Sequence, residues 1–314
     1  MDTIRSQLKT LNRQCGLYTK TKTMMKNNLI ALLGQTYPGV NALFDSPVRE
    51  DRTQKWVDFA ASFWHVECVR GMSQSAFVQR YAKWCKQHGY QARVGTAEAI
   101  YEDSKDLVAT PPKDAMTKLL IRQAISALNT VSATLERLKA EMLQLASQLP
   151  EFPVVMAMRG VGDSLGPQLM AEIGDVTRFA HRGSIISFAG VDPGTNQSGT
   201  HETKSVRTSK SGPPELRKAL FLVMDCLLKT IPQDDPVYRF MDKKRSEGKP
   251  YLVYMTAGAN KFLRIYYGRV KEYPGQAGGT FCHRPQPTRL SLLLHIYPDR
   301  RFGGGLFLVP FSTT

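Results

Sequence analysis

One serine stands in a setting that could act on a phosphodiester. Ser198-Gly199 lies in a polar, turn-forming stretch, and a run of bases follows it: His201, Lys204, Arg207, Lys210, Arg217 and Lys218. Glu202 and Glu215 are the acids that oppose this charge between Ser198 and Lys218. A hydroxyl can attack phosphorus, and cations around it can hold the charge that develops on the phosphoryl oxygens. Gly190, Pro193, Gly194, Gly199 and Gly212 interrupt any continuous helix here, so the serine belongs to a loop. A solvated basic loop is the plainer reading of the same residues.

A second cluster is Arg159-Gly160-Val161-Gly162. Apolar Val154, Val155 and Met158 precede it, and Leu165, Leu169, Met170 and Ile173 follow. Helix, Gly-x-Gly turn, helix is the layout of a helix-hairpin-helix unit. Gly160 and Gly162 would let the backbone approach a phosphate, and the N-terminus of the next helix would offer free N–H groups. A tight helical turn is the alternative. Pro167 fits best in a first helical turn, which places the start of the second helix later than usual for such a unit. His65 and Cys68 are spaced to share a helix face, but they lack a second ligand pair and read as packing residues.

These clusters need elements to carry them, and the spacing predicts helices. Ile4, Leu8, Leu11 and Cys15, then Met25, Leu29 and Leu32, mark a helix over residues 1–34, ended by Gly34. Its other faces carry Arg5, Lys9, Arg13, Lys20, Lys22 and Lys26, either as a solvated face or along a phosphate backbone. Two helices follow over 51–69 and 74–87, with Ser73 as N-cap and Gly89 at the C-terminal end. Trp56, Phe59, Phe63, Phe77, Tyr81 and Trp84 form their shared core, with base stacking as the alternative. Asp114 starts a long helix. Ile121, Leu128, Leu135, Met142 and Leu149 stand seven apart along it, and Ala124, Val131, Leu138 and Leu145 fill the other seam position. That is a coiled-coil pattern. The seam needs a partner, either another helix of this chain or a second copy, and a homo-oligomer through residues 121–149 is the preferred reading. Helices over 215–230, 236–247 and 251–272 complete the pattern, the last two rich in bases. Arg217 and Lys218 fall in a first turn, where cations oppose the helix dipole.

The chain is 314 residues long, enough for about two domains and a sizeable core. Forty-two Lys and Arg against 27 Asp and Glu give a formal charge of +15, which favours an anionic partner, above all nucleic acid. No apolar run approaches the ~20 residues that span a bilayer, and membrane is not expected as a partner. The five cysteines are scattered and odd in number, which suits reduced thiols in a cytoplasm. The fold class expected is mainly α: a helical arm and a long coiled-coil helix, then a helical domain bearing the serine loop and the hairpin. The boundaries expected are 1–112 for the first helical region, 113–149 for the coiled coil, 150–273 for the C-terminal domain and 274–314 for an irregular or aberrant tail.

The order of RGVGDSLGPQLMAEIGD, FAGVDPGTNQSG, TSKSGPPELRKAL and GKPYLVYMTAGANKFLR resembles the C-terminal half of the DEDD-type insertion-sequence transposases of the IS110 (IS116/IS902-like) group. That group is related to the Piv DNA invertases. The match runs from about Leu149 to Lys271. The resemblance implies DNA strand exchange, DNA as partner and, in some members, a structured guide RNA. It implies that Ser198 attacks a DNA phosphate and becomes joined to it, with Lys210 and Arg217 at basic positions of the same block. Mg²⁺ would be held by three Asp and one Glu of an N-terminal RuvC-like domain expected ahead of residue 1, so no cofactor is expected on this chain itself. Asp103, Asp106, Asp163, Asp175 and Asp192 do not match those acids. Pro213-Pro214 departs from the polar pair more usual there, and the tail after Tyr273 matches nothing in the family. Two readings result: a transposase lacking its metal-binding half, or a non-catalytic DNA- or RNA-binding, dimerising remnant.

Overall fold

The computed structural model describes residues 3–44, 54–192, 197–198, 201–202 and 208–273, with 197–198 and 201–202 described as backbone. The chain divides into two units, Met1–Tyr273 and Pro274–Thr314, and everything described lies in the first. The expected irregular tail therefore lies outside the described residues.

The architecture is mainly α. Helix α1 spans Thr3–Thr36. It runs two residues past the stop expected at Gly34 and ends before Pro38, with Gly39 at φ +77°. Then come α2 (Lys55–Ser62), α3 (Glu67–Arg70), α4 (Gln74–Gln87) and α5 (Val94–Lys105). Ser73 caps α4 by accepting from the Ala76 N–H, as its position predicts, and Gly89 follows at φ +64°.

The single helix expected over 51–69 is instead broken. Phe63 leaves helical geometry at φ −121°, ψ 57°. The end of α1 explains the break: Thr36 Oγ1 donates to the Trp64 carbonyl at 2.9 Å, and the Val66 N–H donates to the Thr36 carbonyl at 2.9 Å. These bonds replace two that an unbroken helix would have made. The sequence did not single out α5, whose apolar pattern is sparse, but Ala97 and Ile100 are buried and Tyr101 donates to the Met72 carbonyl.

The six expected aromatics form one core with Tyr37, and Phe59 stacks on Phe63 with centroids 4.6 Å apart. Burying each such ring stabilises the fold by roughly 1.5–3 kcal/mol. His65 and Cys68 are buried there too. The His65 ring accepts from the Glu67 N–H through Nδ1, and its Nε2 lies 3.1 Å from the Pro111 carbonyl.

Asp114 caps α6 (Ala115–Ala146), accepting from the Thr117 N–H at 2.8 Å. The seam of α6 meets α1 of the same chain. Leu29 and Leu33 share one core with Ile121, Ala124 and Leu128, whereas Leu8 and Cys15 share another with Leu135, Met142 and Ala146. The order reverses, so α1 and α6 run antiparallel and bridge two cores. This corrects the preference for a second copy as the seam's partner. The seam is covered, because a second helix of matching length and apolar stripe was already present in α1.

The second core collects the remaining helices: α7 (Phe152–Met156), α8 (Leu165–Ile173), α9 (Arg182–Ala189), α10 (Pro214–Thr230), α11 (Pro236–Ser246) and α12 (Tyr251–Lys271). A two-residue antiparallel pair, β1 (Gln197–Ser198) and β2 (His201–Glu202), sets Ser198 opposite His201. Two buried carboxylates fix the first half of α1 to this core. Glu151 pairs with Arg5, and Glu172 accepts from Asn12 Nδ2 at 2.7 Å and from Arg13 at 3.1 Å. Arg13 also reaches Glu215 at 2.7 Å.

Candidate functional site

The serine pair β1–β2 hangs between two chain segments that the fold ties together. On one side, α9 ends at Gly190, in the left-handed region at φ +64°, and the chain continues through Val191 to Asp192. On the other, residues 208–212 lead into α10. The Ser209 N–H donates to the Asp192 carbonyl and the Lys210 N–H to the Gly190 carbonyl, each at 3.1 Å. The Asp192 carboxylate accepts from Ser209 Oγ at 2.6 Å and from Ser187 Oγ at 2.9 Å. The loop bearing Ser198 therefore closes at its base, with its ends pinned by backbone and side-chain bonds.

Two glycines allow this closure. A Cβ on Gly212 would stand 1.8 Å from the Phe188 carbonyl oxygen, and one on Gly190 would meet the backbone nitrogens of Ser211 and Gly212 at 2.7 Å. The backbones cross where no side chain fits. Lys210 adopts φ +53°, a left-handed conformation that costs a non-glycine residue on the order of 1 kcal/mol.

Beside this base lies a cleft of about 280 Å³ lined by Val191, Thr208, Lys210, Arg217, Lys218 and Phe221. The structure thus brings together three of the expected basic residues, Lys210, Arg217 and Lys218. Lys210 and Lys218 are exposed. Arg217 is half-buried, and its Nη1 donates to the Gly212 carbonyl at 2.5 Å and to the Ala189 carbonyl at 3.4 Å. It braces the crossing as well as lining the cleft, which accounts for a cation in the first turn of α10: the loop carbonyls supply its partner. Ser198 is placed by its backbone alone. Lys204 and Arg207 lie outside the described residues.

The hairpin glycines stand elsewhere. Gly160 is at φ +77°, and the side on which its Cβ would stand faces the Val223 carbonyl at 3.0 Å and Leu227 at 3.1 Å, both on α10. In this fold it allows α10 to pack closely. Gly162 has open space around it, and its carbonyl accepts from the Gly166 N–H at 2.9 Å. Helix α8 begins at Leu165, which puts Pro167 in its first turn, as expected. Arg159 joins this turn to the α10–α11 connection through Asp234 at 3.0 Å.

Sequence reasoning passed over Ser187 and Ser209 and weighed Asp192 only as an acid outside the metal-binding set, yet all three close the loop. The Asp-Pro-Gly run at 192–194 was a turn signal that could have drawn attention to Asp192. Among the described residues, no three His, Cys, Asp or Glu side chains come together as metal ligands.

The profile of the IS116/IS110/IS902 transposase family matches residues 153–239, a span from α7 through the cleft into α11. Over those residues the chain is similar to that transposase family. It is 23 % identical over 193 residues to an uncharacterized protein of insertion element IS110 from Streptomyces coelicolor, a match covering 62 % of this chain and 45 % of the relative. It is 27 % identical over 145 residues to the pilin gene-inverting protein of Moraxella bovis, covering 45 % of this chain and 44 % of the relative. The Moraxella lacunata pilin gene-inverting protein matches to the same extent. The chain thus spans under half the length of these relatives. The transposase match centres on the loop and cleft, with α1 to α6 before it.

Proposed function

We propose that this chain acts in DNA transposition or site-specific recombination, with Ser198 as the nucleophile and the cleft as its phosphate seat. The observation that carries the reading is a loop that bears Ser198 and closes at its base beside the cleft lined by Lys210, Arg217 and Lys218. The family match over the same residues supports it, and so does the gene inversion for which the Moraxella relatives are named. In the step proposed, Ser198 Oγ loses its proton and bonds to phosphorus. The bond from phosphorus to the departing strand oxygen breaks, and that oxygen takes up a proton. Lys210 and Lys218 would stabilise the charge on the non-bridging oxygens. Arg217 would position the loop through its two carbonyls. No step here is drawn through a metal ion.

Incubating the purified chain with DNA carrying element ends, with Mg²⁺ present, tests this. The expected product is a protein–DNA adduct that survives denaturation and is absent with Ser198→Ala. An adduct that persists in Ser198→Ala overturns the assignment of the serine. No adduct from the natural sequence, alongside retained DNA binding, would leave the chain as a non-catalytic DNA- or RNA-binding protein.

A further inference from the structure

A second basic surface lies on the helical region that precedes the family match. Two adjoining depressions, of about 570 and 580 Å³, share Ser62 and Arg80. One is lined by Lys113, Lys118 and Arg122, where α6 begins, and the other by Lys83 on α4. Glu67 also faces this groove, but Arg70 already neutralises it through an ion pair. Lys113 Nζ donates to the Glu67 carbonyl, and Arg80 lies over the Phe63 ring at 5.5 Å. Among the described residues, Arg80, Lys83, Lys118 and Arg122 have no carboxylate partner. Arg80, Lys83 and Arg122 are exposed and Lys118 is half-buried, all on helices that fix their spacing.

We infer that this groove is a second phosphodiester-binding surface and that it grips the backbone of duplex DNA. Five cations facing one neutralised acid are complementary to a polyanion. The aromatic residues favour a duplex over a single strand. Single-stranded nucleic acid is held by stacking bases on exposed rings, but Phe63, Trp64 and Trp84, which border the groove, are 1 %, 6 % and 4 % exposed. The groove thus offers charge without a stacking platform. It stands apart from the Ser198 cleft: Arg122 and Met142, the latter in the core that carries the cleft, are separated along α6 by roughly 30 Å at 1.5 Å per residue. Contacts at both places would hold a duplex at two separated points. The choice of DNA rests on the strand-exchange reading, whereas the groove's charge does not.

The test is duplex binding by the full chain as a function of salt. The groove variant carries Arg80→Gln, Lys83→Gln, Lys118→Gln and Arg122→Gln. A control of equal charge loss carries Lys105→Gln, Lys229→Gln, Lys249→Gln and Arg269→Gln, and melting curves check that both fold. The groove variant is expected to bind duplex DNA at least about tenfold more weakly near 0.1 M salt. Its log K against log salt slope should be shallower by about 3.6 if all four phosphate contacts are lost. The control should change neither by as much. Equal losses in both variants, an unchanged slope, or tighter binding of a single strand than of the duplex would overturn the inference. Adduct formation at saturating DNA is read in parallel. A groove effect without any adduct rejects the strand-exchange reading alone, and an adduct without a groove effect rejects the groove alone.

Discussion

Gly212 governs the site more than any charged residue does, because the loop closes only where two backbones can touch. A Cβ at that position would overlap the Phe188 carbonyl oxygen, and neither neighbour is a flexible side-chain end that could move aside. Gly212→Ala should therefore open the base of the loop. We expect a loss of about 2–4 kcal/mol by urea denaturation, since incompatible backbone substitutions lie at the high end of single-residue effects. Adduct yield should fall with it. Unchanged stability would mean that the crossing is looser than the close approach implies. Asp192 belongs to the same scale: it accepts from two serine hydroxyls and so shapes the base of the loop.

At the scale of elements, Arg13 links three helices: it lies on α1, pairs with Glu172 of α8 and pairs with Glu215 of α10. Arg13→Gln leaves the Glu172 carboxylate buried with Asn12 as a remaining donor. A hydrogen bond to a charged group contributes about 1.5–3 kcal/mol, and Arg13 is 42 % exposed, so a cost of about 1–2 kcal/mol is expected. Burial acts to raise the pKa of Glu215, but its backbone N–H and Arg13 outweigh this and hold it below the usual carboxylate value. A depressed folded-state pKa gives stability that is present above the unfolded value near 4.3 and lost as pH falls through the folded one. Unfolding free energy should therefore drop below about pH 4, less steeply in Arg13→Gln. Identical acid slopes would remove Glu215 from the account.

At the scale of the whole molecule, the antiparallel α1–α6 pair joins an aromatic helical core to the core beneath the cleft. Leu135 is 2 % exposed in that pair. Leu135→Ala should cost about 2–5 kcal/mol from lost burial and a cavity. Sedimentation should show the same mass as the natural chain, because the seam is filled from within. A fall in mass on this substitution would restore a second copy as the seam's partner. The pair also places the groove and the cleft at separated points along one rigid axis.

The sequence by itself determined the helices whose apolar spacing was regular. The heptads of α6, the stripe of α1, the Ser73 and Asp114 caps and the aromatic core were legible because periodicity and capping are local. The order of the short motifs resembled that of the IS110-group transposases, and Lys210, Arg217 and Lys218 were legible as one basic block. The tertiary structure decided the rest, because contact between distant segments leaves no periodic signal. Thr36 breaks the helix expected over 51–69, and α1 covers the α6 seam. Gly160 serves the packing of α10. Arg217 turns to loop carbonyls, and Asp192 meets Ser209 seventeen positions away. Lys113, Lys118 and Arg122 read as ordinary charges until the fold sets the start of α6 around one groove with Arg80 of α4, since only tertiary structure puts these like charges on one surface.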